Sequence, residues 1–457
     1  MLALATSACS VGPNYRPQSA ATLKVPEHFQ APVADRIDPA QIARWWTAFN
    51  DPVLTSLVER ALTGNNDLAT AQARLRAARA ALKGTQGAQL PSLSAGGSGG
   101  RQELVTGNGL SGSSFQAGLD AAWEADIFGG LRRSTEAARA NAESSAASLA
   151  DVQRALVAEV ALNYVDARST QARLTVARGN IAIQDETLQI VRWRVQAGLV
   201  SDLDLQQAIA LRAQTAATIP TLETTYAASV NRIATLLGLA PGAVTGEMVT
   251  QQAIPLGPDN VEAGLPADLL NRRPDLIAAE RSLAAEVARI GVAEADLYPA
   301  LRLSGSLSSA SNSLSVLGDN IIGSLLGSIT APIFQGGQIR ARIAQQQATA
   351  DAALSNYRGA VLTALEDVEN ALVSIDRTKA RETELITAET AAKESVRLAE
   401  ASYSSGLIDF QSLLSTQQSL LSAQDSRTTA RAARANASIQ LFKALGGGWD
   451  APEQTGS

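Results

Sequence analysis

Few residues in this chain could carry covalent or metal chemistry. Its 457 residues hold one histidine, His28, and one cysteine, Cys9. A His/Cys metal cluster and an intrachain disulfide both need more such ligands than that, so neither can be built. A nucleophile set of the Ser-His-Asp or Cys-His kind would have to recruit His28, which lies close to Pro26 in a polar N-terminal arm. That setting predicts a solvated imidazole, so neither catalysis nor a cofactor is expected. Gly107-Asn108-Gly109-Leu110-Ser111-Gly112 matches the GxGxxG dinucleotide pattern, but a strand follows where phosphate binding needs a helix N-terminus. A hairpin loop is the expectation there. What remains is a set of carboxylates, Asp120, Glu124 and Asp126, whose even spacing puts them on one face of an extended segment.

Cys9 has a different chemistry open to it. Residues 1–8 are small and mostly apolar and read as the tail of a secretory signal whose basic start precedes them. Small residues directly before a lone cysteine form a lipoprotein processing pattern, although Thr6 stands where Leu is usual. Acylation of Cys9 would explain the proline-bearing leash that follows, Ser10 to Pro17.

The bulk composition narrows the class. The chain is 46% apolar but only 4% aromatic, a balance that suits long helices packed through small residues. A net charge of −6 without a dense basic patch argues against a nucleic-acid partner. No apolar run is long enough for a transmembrane helix, so membrane contact would need a β-barrel or a lipid.

The elements that position the carboxylates are strands. Phe115, Ala117, Leu119, Ala121, Trp123, Ala125 and Ile127 alternate with a face carrying Asp120, Glu124 and Asp126. Leu301, Leu303, Gly305 and Leu307 alternate with Arg302 and serines. Ile321, Gly323, Leu325, Gly327 and Ile329 repeat the pattern, while Ser92 to Arg101 is a weaker, Gly/Ser-rich version. After Gly129-Gly130 and after Gln335-Gly336-Gly337 very long helical runs begin. In the second run Leu354, Val361, Val368 and Ile375 recur at coiled-coil spacing, on a helix of roughly 100 Å. Gly198-Leu199 makes a turn, and Ser201 or Asp202 is expected to cap the return helix; Asp67 is expected to cap an earlier one.

The chain is written twice. Leu90-Pro91 and Tyr298-Pro299 stand 208 positions apart, as do Gly198-Leu199 and Gly406-Leu407, and Leu237-Gly238 and Leu445-Gly446. The expected organisation is a signal remnant at 1–8, then a lipid-anchored arm and short helix at 9–64. The first repeat covers 65–238, with strands near 91–105 and 114–128 and helices 131–197 and 202–237. A connector occupies 239–265. The second repeat covers 266–446, with strands near 299–310 and 321–334 and helices 338–404 and 409–445, and a tail covers 447–457. The fold class is mainly α with a membrane β-barrel portion. Four strands per chain cannot close a barrel, and an open edge cannot exist in lipid, so several chains must share one. Two would give a plugged barrel and three a wet one, which the carboxylates favour.

Together, Cys9 to Tyr15, Trp123-Glu124-Ala125-Asp126-Ile127-Phe128-Gly129-Gly130, Arg272-Arg273-Pro274-Asp275-Leu276 and Tyr403 to Phe410 resemble the TolC-type outer-membrane factors, lipoprotein efflux-channel branch. The resemblance spans the chain from Cys9 onward. It implies a homotrimer with a twelve-stranded barrel and a periplasmic helical tunnel, lipid-anchored in the outer membrane of a Gram-negative bacterium. It also implies a periplasmic adaptor and an inner-membrane pump of the RND type as partners, with this chain as the passive exit for small molecules. Carried onto this sequence, Gly198, Leu199, Gly406 and Leu407 are the adaptor-docking tips. The constriction falls at Gln411 and Ser415, where relatives often place a carboxylate; Asp202, Asp204 and Asp409 supply charge at the mouth. Asp120, Glu124, Asp126 and Arg302 would face the barrel lumen. The alternatives are a type I secretion duct for polypeptides and a non-channel coiled-coil scaffold.

Overall fold

A computed structural model describes residues 10–30, 39–103, 112–258 and 263–450. Cys9 and residues 107–111 of the GxGxxG pattern lie outside the described residues. In chain order the elements are α1 (Pro39–Ala43), α2 (Pro52–Gly64), α3 (Asn66–Gly87), β1 (Ser92–Gln102), β2 (Gly112–Ala125), α4 (Gly130–Gln196) and α5 (Asp202–Leu236). They continue with α6 (Thr245–Met248), α7 (Leu269–Arg272), α8 (Pro274–Ala295), β3 (Ala300–Ser311), β4 (Ile322–Thr330), α9 (Gln338–Ser404) and α10 (Phe410–Ala444). The helical hairpins match in length: α4 and α9 have 67 residues each, α5 and α10 have 35 each. Contacts divide the chain into two units, one of residues 1–19, 72–148 and 275–360, the other of 20–71, 149–274 and 361–457.

The first unit carries the sheet. Its order is β1-β2-β3-β4, antiparallel throughout, so β1 and β4 are its edges. Strand β2 ends at Ala125, short of the 128 expected, and β4 ends at Thr330, ahead of Pro332, which has no N–H to give a ladder. The N-terminal arm is held on this unit from Ser10 to Tyr15 rather than hanging free as a leash. Val11 N–H donates to Phe128 O at 3.1 Å. The buried Arg133 guanidinium donates to Val11 O, Gly12 O and Asn14 Oδ1 at 3.0, 3.1 and 2.7 Å. Gly12, at φ +89°, lies so close to Gly291 that a Cβ there would sit 2.4 Å from its Cα.

The second unit holds the main apolar core, including Trp45, Leu54, Leu57, Tyr164, Ile233, Met248 and Ile439. Each such large side chain contributes roughly 1.5–3 kcal/mol on burial. Trp45 stacks on Phe442 at 5.4 Å, and with Trp46 also buried the Trp pair anchors the packing here. The helical stretch from Arg44 to Leu62 is a 3-10 turn, Trp45–Phe49, then α2. Asn50 at φ 52° breaks it, and Asp51 caps the restart with bonds from Val53 N and Leu54 N. The helical stretch that starts at Pro266 likewise breaks, at Arg273, before Pro274.

The cap of α3 is Asn65, not Asp67. Asn65 Oδ1 accepts from Leu68 N at 2.9 Å while its Nδ2 donates to Leu236 O at 2.8 Å. One buried amide thus starts α3 and satisfies a carbonyl at the end of α5. Arg168, fully buried, donates to Gln171 Oε1 and to the Met248 and Thr250 carbonyls at 2.7, 3.2 and 2.7 Å, tying the connector to α4.

Candidate functional site

Strand register fixes the two faces of the sheet. Asp120 pairs with Ser306 and Ser306 with Ser324; Glu124 pairs with Arg302 and Arg302 with Ser328. These residues, with Ser94 opposite Asp120, share one polar face. The other face carries Leu93, Phe115, Leu119, Trp123, Leu301, Leu303, Leu307, Leu325 and Ile329. An apolar face backed by a polar one is what a water-filled membrane barrel requires of its strands. Leu326, opposite Ser304, is an apolar exception on the polar side. Arg302 Nε donates to Glu124 Oε2 at 3.0 Å, so the one barrel cation named from the sequence partly neutralises one of its carboxylates. Asp126 is a correction: it lies one residue past β2, and its carboxylate accepts from Leu131 N and Arg132 N at 3.1 and 2.9 Å. It serves the start of α4, where unpaired N–H groups attract an anion.

The two turns in the second unit are built alike. Gly198 and Gly406 adopt φ +70° and +72°. Leu199 N–H reaches Arg194 O, and Gly198 N–H reaches Val195 O, at 2.8 and 2.9 Å; Leu407 and Gly406 repeat this with Ser402 O and Tyr403 O. Only glycine takes that left-handed position without strain. Leu199 and Leu407 project into solvent, 72% and 78% exposed. Behind them Leu188, Val191, Ala208, Tyr403, Phe410, Leu413 and Leu414 form a separate apolar cluster.

The residues after each turn have settled roles. Asp204 accepts from Ser201 N at 3.3 Å, while Asp202 is exposed in the first turn. Asp409 is the N-cap of α10, accepting from Ser412 N at 2.8 Å. The Ser412 side chain and amide hold its carboxyl below the usual range. Gln411 and Ser415 are exposed one turn apart on α10, and the Ser415 hydroxyl donates back to Ser412 O. Gln418 and Ser419 extend the same uncharged face.

Several contacts here escaped the sequence reading because they join distant positions. Arg173 Nε donates to Asp425 Oδ1 at 2.6 Å, Asn180 to Gln424 at 2.6 Å, and the buried Gln417 to Thr187 at 2.8 Å, all linking α4 to α10. A groove of about 620 Å³ lies beside the Arg173–Asp425 pair, lined by polar Gln214, Thr218 and Gln418 and apolar Leu222 and Leu421. The only advance signal was the run of polar residues on α10.

Twice-repeated long hairpins and a two-faced, open-edged sheet define a TolC-type channel protomer. Residues 57–239 and 265–447 match the outer membrane efflux protein family, and the chain belongs to it. It is 33% identical to Nodulation protein T of Rhizobium leguminosarum bv. trifolii over 99% of this chain and 97% of that one. It is 34% identical to the pyoverdine export outer membrane protein OpmQ of Pseudomonas aeruginosa, over 94% and 93%. The solved structure of the outer-membrane channel OprN matches with a TM-score of 0.89 at 35% identity, over 97% of this chain and all of that one. The chain is therefore an outer-membrane exit channel of a tripartite efflux system. It works as a homotrimer with a periplasmic adaptor and an inner-membrane pump. Members of the family are channels, not enzymes.

Proposed function

We propose that this duct passes small molecules handed over by an RND-type pump, does no chemistry on them, and is narrowed by Gln411 and Ser415. The observation that carries this reading is the exposed, uncharged face of α10 directly after the turn at Gly406, running from Gln411 through Ser415 to Gln418. A ring of amides and hydroxyls there would restrict the bore without selecting by charge. Charge is left to the mouth, where Asp202, Asp204 and Asp409 stand beside the turns. Asp204 and Asp409 also bond the backbone at the starts of α5 and α10, where the helix dipole favours an anion. Leu199 and Leu407, projecting from Gly198 and Gly406, offer the adaptor an apolar grip. Asp120, Glu124 and Arg302 would line the barrel lumen, and Cys9 would carry the acyl anchor. Small-molecule cargo is supported by the relative named for pyoverdine export.

An adaptor that binds splayed tips more tightly than closed ones shifts the population toward open, and only that difference in affinity can do so. Conductance of the purified trimer in a planar bilayer tests the constriction. Gln411→Ala with Ser415→Ala is expected to raise conductance, and Ser415→Asp to turn the pore toward cations. Parent-like conductance and selectivity in both variants would remove the narrowing from this ring.

A further inference from the structure

The geometry points to a pairing code written into one of the two helical hairpins. Glu382 and Glu389 on α9, facing Arg427 and Arg434 on α10, make α9 accept α10 and refuse its duplicate α5, whether from the same chain or a second copy.

The seam of α9 recurs every seven residues. Val361 and Val368 are buried, as are Val396 and Tyr403, yet between them the same spacing runs from a half-buried Ile375 to Glu382 and Glu389. Both carboxylates are out of solvent, at 3% and 7% exposure. Glu382 Oε2 accepts from Arg434 at 2.8 Å and its Oε1 faces Arg431 at 3.8 Å. Glu389 accepts from Arg427 at 2.7 Å and from Lys393 at 2.6 Å. Arg427 and Arg434 are themselves seven apart, so the two rungs fit one antiparallel register.

The other hairpin has no such ladder. The repeat offset of 208 carries Glu382, Glu389, Arg427 and Arg434 onto Leu174, Ile181, Ile219 and Tyr226. Leu174 is buried with Ala177 and Leu222, and Ile219 packs against them. The ion pairs of that hairpin, Arg178–Glu223, Arg212–Asp185 and Arg232–Glu159, join side chains 39–61% exposed at its rims. Length does not tell the hairpins apart, because both pairs of helices match residue for residue and both turns are alike. In a homotrimer each chain offers its neighbours an α5 as well as an α10, and exchange of equivalent elements is a common failure of duplicated chains.

Chemistry therefore has to discriminate. Against α5, the two glutamates would face Tyr226 and Ile219 and lose water while gaining no cation from the opposite helix; Glu389 would keep Lys393 of its own helix. Against α4, Arg427 and Arg434 would face Ile181 and Leu174. A slip of seven residues between α9 and α10 would strand one rung at each end. A buried ion pair adds little net stability over an apolar pair, but breaking it is costly, which suits selection better than strength.

The test gives the second hairpin the seam of the first, as Glu382→Leu, Glu389→Ile, Arg427→Ile and Arg434→Tyr together in the full chain. Refolding into detergent is followed by circular dichroism and by size-exclusion chromatography with light scattering. Helix content and melting temperature should match or exceed the parent, while the fraction of uniform trimer falls about three-fold or more into mixed oligomers. A parent-like trimer fraction overturns the code. So does a plain loss of helix content, which would make the ladder a stability element. Glu382→Gln with Glu389→Gln keeps side-chain shape and should shift assembly in the same direction; uniform trimer in that variant also overturns the code. The readout is assembly, not conductance, so it stands or falls apart from the constriction at Gln411 and Ser415.

Discussion

Arg194 lies over the ring of Tyr403 with its guanidinium carbon 4.5 Å from the ring centre, and it donates to the Tyr403 and Ser404 carbonyls at 3.3 and 3.1 Å. The last turn of α4 thus caps the last turn of α9, a cation placed on the carbonyls at the negative end of a helix. The two turns at Gly198 and Gly406 are tied by this one side chain as well as by the apolar cluster behind them.

Arg194→Ala is therefore expected to loosen the turns by about 1–2 kcal/mol, enough for a roughly ten-fold shift toward open. Single-channel recording without adaptor should show a higher open fraction, with Arg194→Lys intermediate because an ammonium cannot fork across two carbonyls.

Leu325 and Ser324 are neighbours on β4 with opposite faces. Leu325→Arg places a charge on the apolar face, at a cost of about 2–4 kcal/mol near mid-membrane. Ser324→Arg adds the same group to the polar face beside Ser306. Heat-modifiable trimer in outer-membrane fractions should fall sharply for the first and persist for the second, which should also shift ion selectivity toward anions.

Asn65→Ala removes a cap and strands Leu236 O in the core, for a loss of about 1–2 kcal/mol. Asp67→Ala should change stability by only a few tenths of a kcal/mol, the worth of an exposed charge in a first helical turn. Urea or thermal denaturation followed by circular dichroism separates the two.

Glu389 gives a pH signature. Burial works to raise its carboxyl pKa, but hydrogen bonds from Lys393 and Arg427 outweigh that and hold it below the ordinary value. A lowered folded pKa means stability that is fully present above the unfolded value, about 4.3, and lost as pH falls through the lower folded one. Glu389→Gln should be less stable than the parent at neutral pH, with the gap closing in acid. A gap independent of pH would show that the carboxylate is not the stabilising group.

Much of the strand architecture was legible because it is local. Alternation over ten residues placed Asp120, Glu124 and Arg302 on one face, and the register confirmed it. The same alternation, carried one step further, puts Asp126 on that face too. The chain leaves the strand at Ala125 because the start of α4 needs an acceptor, and alternation alone does not contain that demand. Asp67 failed as a cap for a related reason. Asn65 carries a donor as well as an acceptor, and only the fold brings Leu236 O to use it.

The amino-acid order by itself determined the duplication, the extent of the four long helices and the two glycine turns. Each follows from spacing or from a backbone angle that glycine takes without strain, and none depends on a distant partner. Tertiary structure decided which polar groups meet: Arg133 with the N-terminal arm, Arg194 with Tyr403, Glu382 and Glu389 with Arg434 and Arg427. A heptad position says that a side chain is buried. Whether a charge can survive there depends on what the opposite helix presents, and that is known only once the helices are packed.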